Sequence, residues 1–106
     1  MSIQEVNDQT FEHKISKNGV TVVEFGAPWC PPCKVLYPII EELDAKYNNQ
    51  LTVLTINSDD SPQLAAAYGV MSLPTVIVFN EAEPVEKLVG LRPLAVYEQI
   101  VDRHLA

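Results

Sequence analysis

A chain of 106 residues with 47% hydrophobic side chains is long enough to bury one core without metals or several staples, and its apolar residues fall in short runs with no membrane-spanning stretch. Seven Lys and Arg against fourteen Asp and Glu give a net charge of −7, which argues against a grip on nucleic-acid phosphates, because that grip needs clustered cations. Only two cysteines, at 30 and 33, exclude a multi-bridge secreted scaffold.

The N-terminal stretch MSIQEVNDQTFEHK has neither a basic start nor an apolar block, so no signal peptide is read there and a cytoplasmic location is expected. A short strand is possible near Ile3 to Val6. Residues 8–17 are expected to be helical, with Asn7 or Asp8 as N-cap, Phe11 and Ile15 on one face, and Asn18 and Gly19 as the stop. VTVVEF at 20–25 is β-branched and almost continuously apolar, the pattern of a strand covered on both faces.

From about 32 to 48, Cys33, Leu36, Ile40, Leu43 and Tyr47 recur at spacings of three and four, which is one face of a long helix with Pro38 as a kink inside it. LTVLTIN at 51–57 reads as a second buried strand. Ser61 and Pro62 look like the N-cap and first position of a short helix that Gly69 ends. TVIVF at 75–79, a polar turn around Asn80 to Glu83, and PVEKLVG at 84–90 read as a hairpin. Pro93 then opens a last helix that turns Leu94, Tyr97, Ile100, Val101 and Leu105 inward. No repeat, linker or low-complexity tract interrupts the chain, so residues 1–106 are read as one α/β domain, a mixed sheet with helices on both faces.

The chemistry sits in FGAPWCPPCK, where two thiols straddle the opening of the long helix. Unpaired N–H groups and the positive dipole end at a helix N-terminus favour a thiolate, so Cys30 should titrate below the free-cysteine value of about 8.5 and serve as the nucleophile. Cys33, three positions on and facing the core, should resolve the mixed disulfide. Cys30 is expected to be partly exposed and Cys33 buried. Pro31 and Pro32 lose little by lacking donors in the first helical turn. They leave the N–H groups of Cys33 and Lys34, and the charge of Lys34, to tune the Cys30 sulfur.

The stretch VVEFGAPWCPPCKVLYPIIEEL and the later block YGVMSLPTVIVF resemble the thioredoxin family, and the likeness runs over nearly the whole chain. The resemblance implies a central five-stranded sheet flanked by four helices and a protein-disulfide reductase, an electron carrier of cell redox homeostasis. It also implies a cis bond between Leu73 and Pro74 facing the sulfurs. The partners implied are client proteins with disulfides and a flavoprotein thioredoxin reductase. No bound cofactor, nucleic acid or membrane is implied, and the chain is expected to be a monomer. Trp29, Leu73, Pro74, Gly90 and Leu91, with Met71, are the candidate docking surface for clients. The chain departs from the family pattern at Pro31, where Gly is common, and at Glu24, where a buried Asp is usual. It departs again at Thr55, where a Lys often neighbours that Asp, and at Gly26, where a Trp is common.

Other readings of these residues compete with this one. A zinc site would need two more ligands, and only His13 and His104 are left, each far away in sequence. A purely structural disulfide is disfavoured because so short a loop restrains little chain entropy. Trp29 is either core or a contact residue, and Glu24 is either a solvated carboxylate or, buried between Val23 and Phe25, a proton acceptor for Cys33. At the level of function, the alternatives are a disulfide oxidant or isomerase, and a partner-binding module whose redox activity is incidental.

Overall fold

The apolar runs form a five-stranded mixed sheet with helices on both faces, in a computed structural model that describes residues 3–105. In chain order the elements are β1 (Ile3–Val6), α1 (Phe11–Lys14), β2 (Val20–Gly26), α2 (Pro31–Tyr47) and β3 (Leu51–Asn57). A single 3-10 turn (Ser58–Asp60) follows, then α3 (Pro62–Ala67), β4 (Thr75–Asn80), β5 (Glu83–Val89) and α4 (Leu94–Leu105). The strand order is β1-β3-β2-β4-β5; β1, β3 and β2 run parallel, and β4 and β5 are each antiparallel to the strand before them in that order.

Alternation along the strands divides the core into two layers. Val20 and Val22 of β2 pack with Leu36, Ile40 and Leu43 of α2 and with Tyr97, Ile100 and Val101 of α4. Val23 and Phe25 face the other way, onto Phe11 of α1 and onto Leu64 and Tyr68. All seven residues of β2 are therefore buried, which is why the strand shows no polar alternation in sequence. Pro38 lies inside α2 as expected.

One helix and two caps differ from the sequence reading. The helix expected over 8–17 is a single turn, Phe11–Lys14, capped at Thr10. The Asn7 side chain accepts from the N–H groups of Gln9 and Thr10, which spends the chain's donors on a turn, and extended backbone at Ile15 leads it back toward β2. Asp8 caps a different helix: its carboxylate accepts from the N–H groups of Gln63 and Leu64 at the start of α3. Ser61 does hold the N-cap position of α3, but its side chain makes no capping bond. A cap supplied by a residue over fifty positions away carries no local signal.

At the far end of α2, Tyr47 donates its hydroxyl proton to Asp102 Oδ1 of α4 at 2.5 Å, and Lys46 Nζ pairs with Glu98 Oε2 at 2.8 Å. Burial, then the bond to Asp102, push the Tyr47 phenol up to about 12. Because Asp102 is exposed to water, Tyr47→Phe is expected to cost only about 1 kcal/mol, the usual net contribution of one hydrogen bond. The phenol's pKa is raised on folding. The contribution is therefore complete below the ordinary value of 10.0 and is lost as pH rises through about 12. Urea unfolding of parent and variant at neutral and strongly alkaline pH checks this; a gap that fails to narrow in alkali would show that folding does not raise the pKa of the phenol.

Candidate active site

β2 ends at Gly26 and α2 starts at Pro31, so the segment between them delivers Cys30 to the N-cap of α2, with Pro31 and Pro32 in the helix's first positions. Cys30 and Cys33 are joined by a disulfide, their Cα atoms 5.3 Å apart. The Cys33 N–H donates to the Cys30 sulfur at 3.3 Å. The Lys34 N–H, expected to do the same, donates instead to the Cys30 carbonyl at 3.3 Å, the ordinary bond of the helix. One backbone donor thus serves the outer sulfur.

Both cysteines are buried, Cys30 at 2% and Cys33 at 6% exposure, so the expected contrast between an exposed outer and a buried inner thiol is absent in the disulfide form. In this form the Cys30 sulfur lies against Cys33 and accepts from its N–H. Exposure falls instead on the neighbours: Pro31, Pro32 and Lys34 face water, and Trp29 is 65% exposed. That exposure removes the reading of Trp29 as core. Its indole N–H donates to Asp59 Oδ2 at 2.7 Å, which holds the ring beside the loop. Sequence gave no reason to connect Asp59 with Trp29, thirty positions apart.

Beneath the pair lies Glu24, 3% exposed, on the same face of β2 as Val20 and Val22. The parallel register sets Glu24 opposite Thr55, whose hydroxyl donates to Glu24 Oε1 at 2.7 Å. Desolvation raises the pKa of the Glu24 carboxyl above the usual 4.5, and the Thr55 bond opposes this more weakly. Gly26 completes the arrangement. A Cβ on that residue would stand 2.5 Å from Glu24 Oε2 and 3.4 Å from the Cys33 sulfur, so the longer carboxylate occupies room that a side chain would take. Glu24 and Cys33 flank one point in space. Both also line a cavity of about 220 Å³, together with Gly26, Lys34, Tyr37 and Thr55.

The Leu73–Pro74 bond is cis. Thr75 pairs with Phe25, which brings Pro74 to the sheet end where β2 leads into the cysteine loop. The Gly90 N–H donates to the Pro74 carbonyl at 2.8 Å, bringing the end of β5 alongside; Gly90 has φ +91°, a conformation glycine adopts without strain. Leu91 is half-exposed at 44%, Met71 is almost fully exposed, and Leu73 packs partly against the second core layer. Leu73, Pro74, Gly90 and Leu91 thus gather at one end of the sheet. Among the described residues no group of three or more His, Cys, Asp or Glu could hold a metal, and His104 instead lies 3.6 Å from Glu86.

The family model described as Thioredoxin matches residues 2–103. Thioredoxins of Staphylococcus epidermidis and Staphylococcus aureus are 44% and 43% identical to the chain over 105 residues, 99% of this chain and all of theirs. A solved structure of a mutant thioredoxin from Halobacterium salinarum NRC-1 superposes with a TM-score of 0.89 at 32% identity, covering 99% of this chain and 92% of that one.

The environment of Glu24 makes a prediction of definite sign. Its folded pKa lies above the ordinary 4.5, so between those two values, and only there, the folded carboxyl keeps a proton that the unfolded chain has released. The resulting stability is complete below that ordinary value and is lost as pH rises through the folded one. Glu24→Gln has no such proton to lose, while its amide oxygen still accepts from Thr55. The oxidised variant should gain on the parent in stability as pH rises from about 4 to neutral, with no advantage at the acid end. Thermal unfolding across that range is the check, and an advantage independent of pH would mean that the carboxyl is not titrating in the fold.

Proposed function

Since the chain belongs to the thioredoxin family and is a protein-disulfide oxidoreductase working by dithiol–disulfide exchange, we propose that Cys30 attacks, Cys33 resolves and Glu24 serves the second step. The observation that carries this division is the position of Cys30 at the N-cap of α2 with the Cys33 N–H directed at its sulfur. Reduced Cys30 is a thiolate favoured by that donor and the helix dipole. It bonds to one sulfur of a client disulfide, and the other client sulfur leaves as a thiolate. Cys33 then gives its proton to Glu24, directly or through one water, and attacks Cys30. The client's second sulfur leaves, and the two electrons that reduce the client disulfide are those given up as Cys30 and Cys33 pass from dithiol to disulfide.

Pro31, Pro32 and Lys34 tune the pair by limiting donors to one and adding a nearby cation. Trp29, Leu73, Pro74, Gly90 and Leu91 form the face on which a client's extended segment lies. The donor of electrons is a flavoprotein thioredoxin reductase. Residues 1–106 act as one domain and as a monomer in the cytoplasm; no helix among the described residues is long and apolar enough to cross a membrane.

Brief alkylation of the reduced protein at neutral pH should label Cys30 first, and labelling of Cys33 first would reverse the roles. With insulin as substrate, Cys33→Ser should stop turnover and leave a stable mixed disulfide on Cys30. Glu24→Gln should leave the first attack unchanged and slow release of the client by about a hundredfold, the low end of what a positioned base contributes. Release at the parental rate would make Glu24 a bystander.

A further inference from the structure

We propose that Thr55 is a positioning residue for the resolving step: by holding Oε1 of Glu24 it directs Oε2 toward the sulfur of Cys33 and makes Oε2 the atom that takes the proton. This role rests on the reading of Glu24 as the proton acceptor and extends it to a residue that does not touch the sulfurs. The two carboxylate oxygens stand in different surroundings. Oε1 accepts from the Thr55 hydroxyl at 2.7 Å, and among the described residues no other donor reaches this carboxyl. Oε2 and the Cys33 sulfur lie 2.5 Å and 3.4 Å from one point, the position that a Cβ on Gly26 would take. The oxygen that Thr55 leaves free is thus the one on the Cys33 side.

Thr55 is suited to fix that orientation. It is paired with Glu24 of β2 on one side and with Glu5 of β1 on the other, so its backbone is held along both edges of β3. A β-branched side chain has few χ1 choices, whereas the last bond of a Glu side chain turns broadly unless one oxygen is held. When Glu24 is protonated, its carbonyl oxygen is the better acceptor, so the Thr55 bond keeps Oε1 in that role and leaves the proton to Oε2. In the step itself the Cys33 proton passes to Oε2 and the Cys33 sulfur bonds to that of Cys30. The client sulfur leaves with the electron pair of the bond that breaks. Other titratable groups face Glu24: Glu5 from β1, Cys33, Lys34 and Tyr37 from α2, and Tyr97 from α4. Among the described residues none of them forms an ion pair with it. The Thr55 bond also favours the charged carboxyl against desolvation, so its loss moves the titration of Glu24 to higher pH.

The probe is dithiobis(nitrobenzoate), a symmetrical aromatic disulfide, mixed with an excess of reduced protein. Attack by Cys30 releases one coloured thiolate, and resolution by Cys33 releases the second. Thr55→Val keeps the branched shape and removes the hydroxyl. Expected are an unchanged first phase, a second phase slowed by about tenfold, and a displacement of its rising pH limb to higher pH. Thr55→Ser restores both rate and profile. In a Glu24→Gln background Thr55→Val brings no further slowing, because it acts through that carboxyl. The assignment is overturned by a Thr55→Val second phase with the parental rate and pH profile, or by equal slowing with and without Glu24. If the Val variant does not fold, Thr55→Ala takes its place. Glu24→Gln separates the two readings. A slow second phase there beside a parental one in Thr55→Val sinks the positioning role alone, whereas a parental phase in Glu24→Gln sinks the acceptor and this role with it.

Discussion

Two adjacent parallel strands cannot be joined by a tight turn, and the pairing of β2 with β3 therefore forces a crossover that α2 supplies. The helix has to begin at the end of the sheet where β2 stops and return its C-terminus to the start of β3. Its N-terminus, with unpaired donors and the positive end of its dipole, is thereby fixed above the sheet edge. Cys30 is placed in that field by topology. Burial of Leu36, Ile40 and Leu43 against β2 keeps the helix from shifting, at roughly 1.5–3 kcal/mol for each such side chain.

The same crossover buries the face of β2 that carries Glu24. A carboxyl enclosed there is costly when charged, and what surrounds it determines how costly. Thr55 offers one neutral hydrogen bond in place of a cation, and Gly26 vacates the volume that the longer side chain requires. The residues at 24, 26 and 55 are thus three parts of one arrangement. A side chain at 26 would collide with the carboxylate of 24, and a shorter acid at 24 would reach less far into the space that Gly26 leaves open. The cavity beside Cys33 remains where the arrangement is incompletely filled.

Much of this was legible in the sequence, for a physical reason in each case. β2, α2, β3 and β4 have apolar patterns whose period is set by burial, and their boundaries, with those of β5, fall within a residue or two of expectation. The role of Glu24 as a buried carboxyl followed from its place inside an apolar run. What escaped was decided by contacts between distant segments. Asp8 caps α3 across fifty-five positions, and Asp59 holds Trp29 across thirty. The helix expected over 8–17 shrank to one turn because Asn7 offered the backbone a competing set of hydrogen bonds. In the sequence Gly26 stood out only as a departure from a common Trp, and its positive use, room for a carboxylate, appears only once the strand register is known.

The position of the two sulfurs relative to α2 gives them unequal surroundings. Cys30, at the N-cap, accepts from the Cys33 N–H and lies at the positive end of the helix dipole, so negative charge is better stabilised on its sulfur than on that of Cys33. Cys33 instead borders the pocket that Glu24, Gly26 and Thr55 also line, where burial disfavours charge and the nearest titratable group is a carboxyl whose own pKa is raised by desolvation. One backbone donor and one helix end therefore set the difference between two otherwise identical side chains.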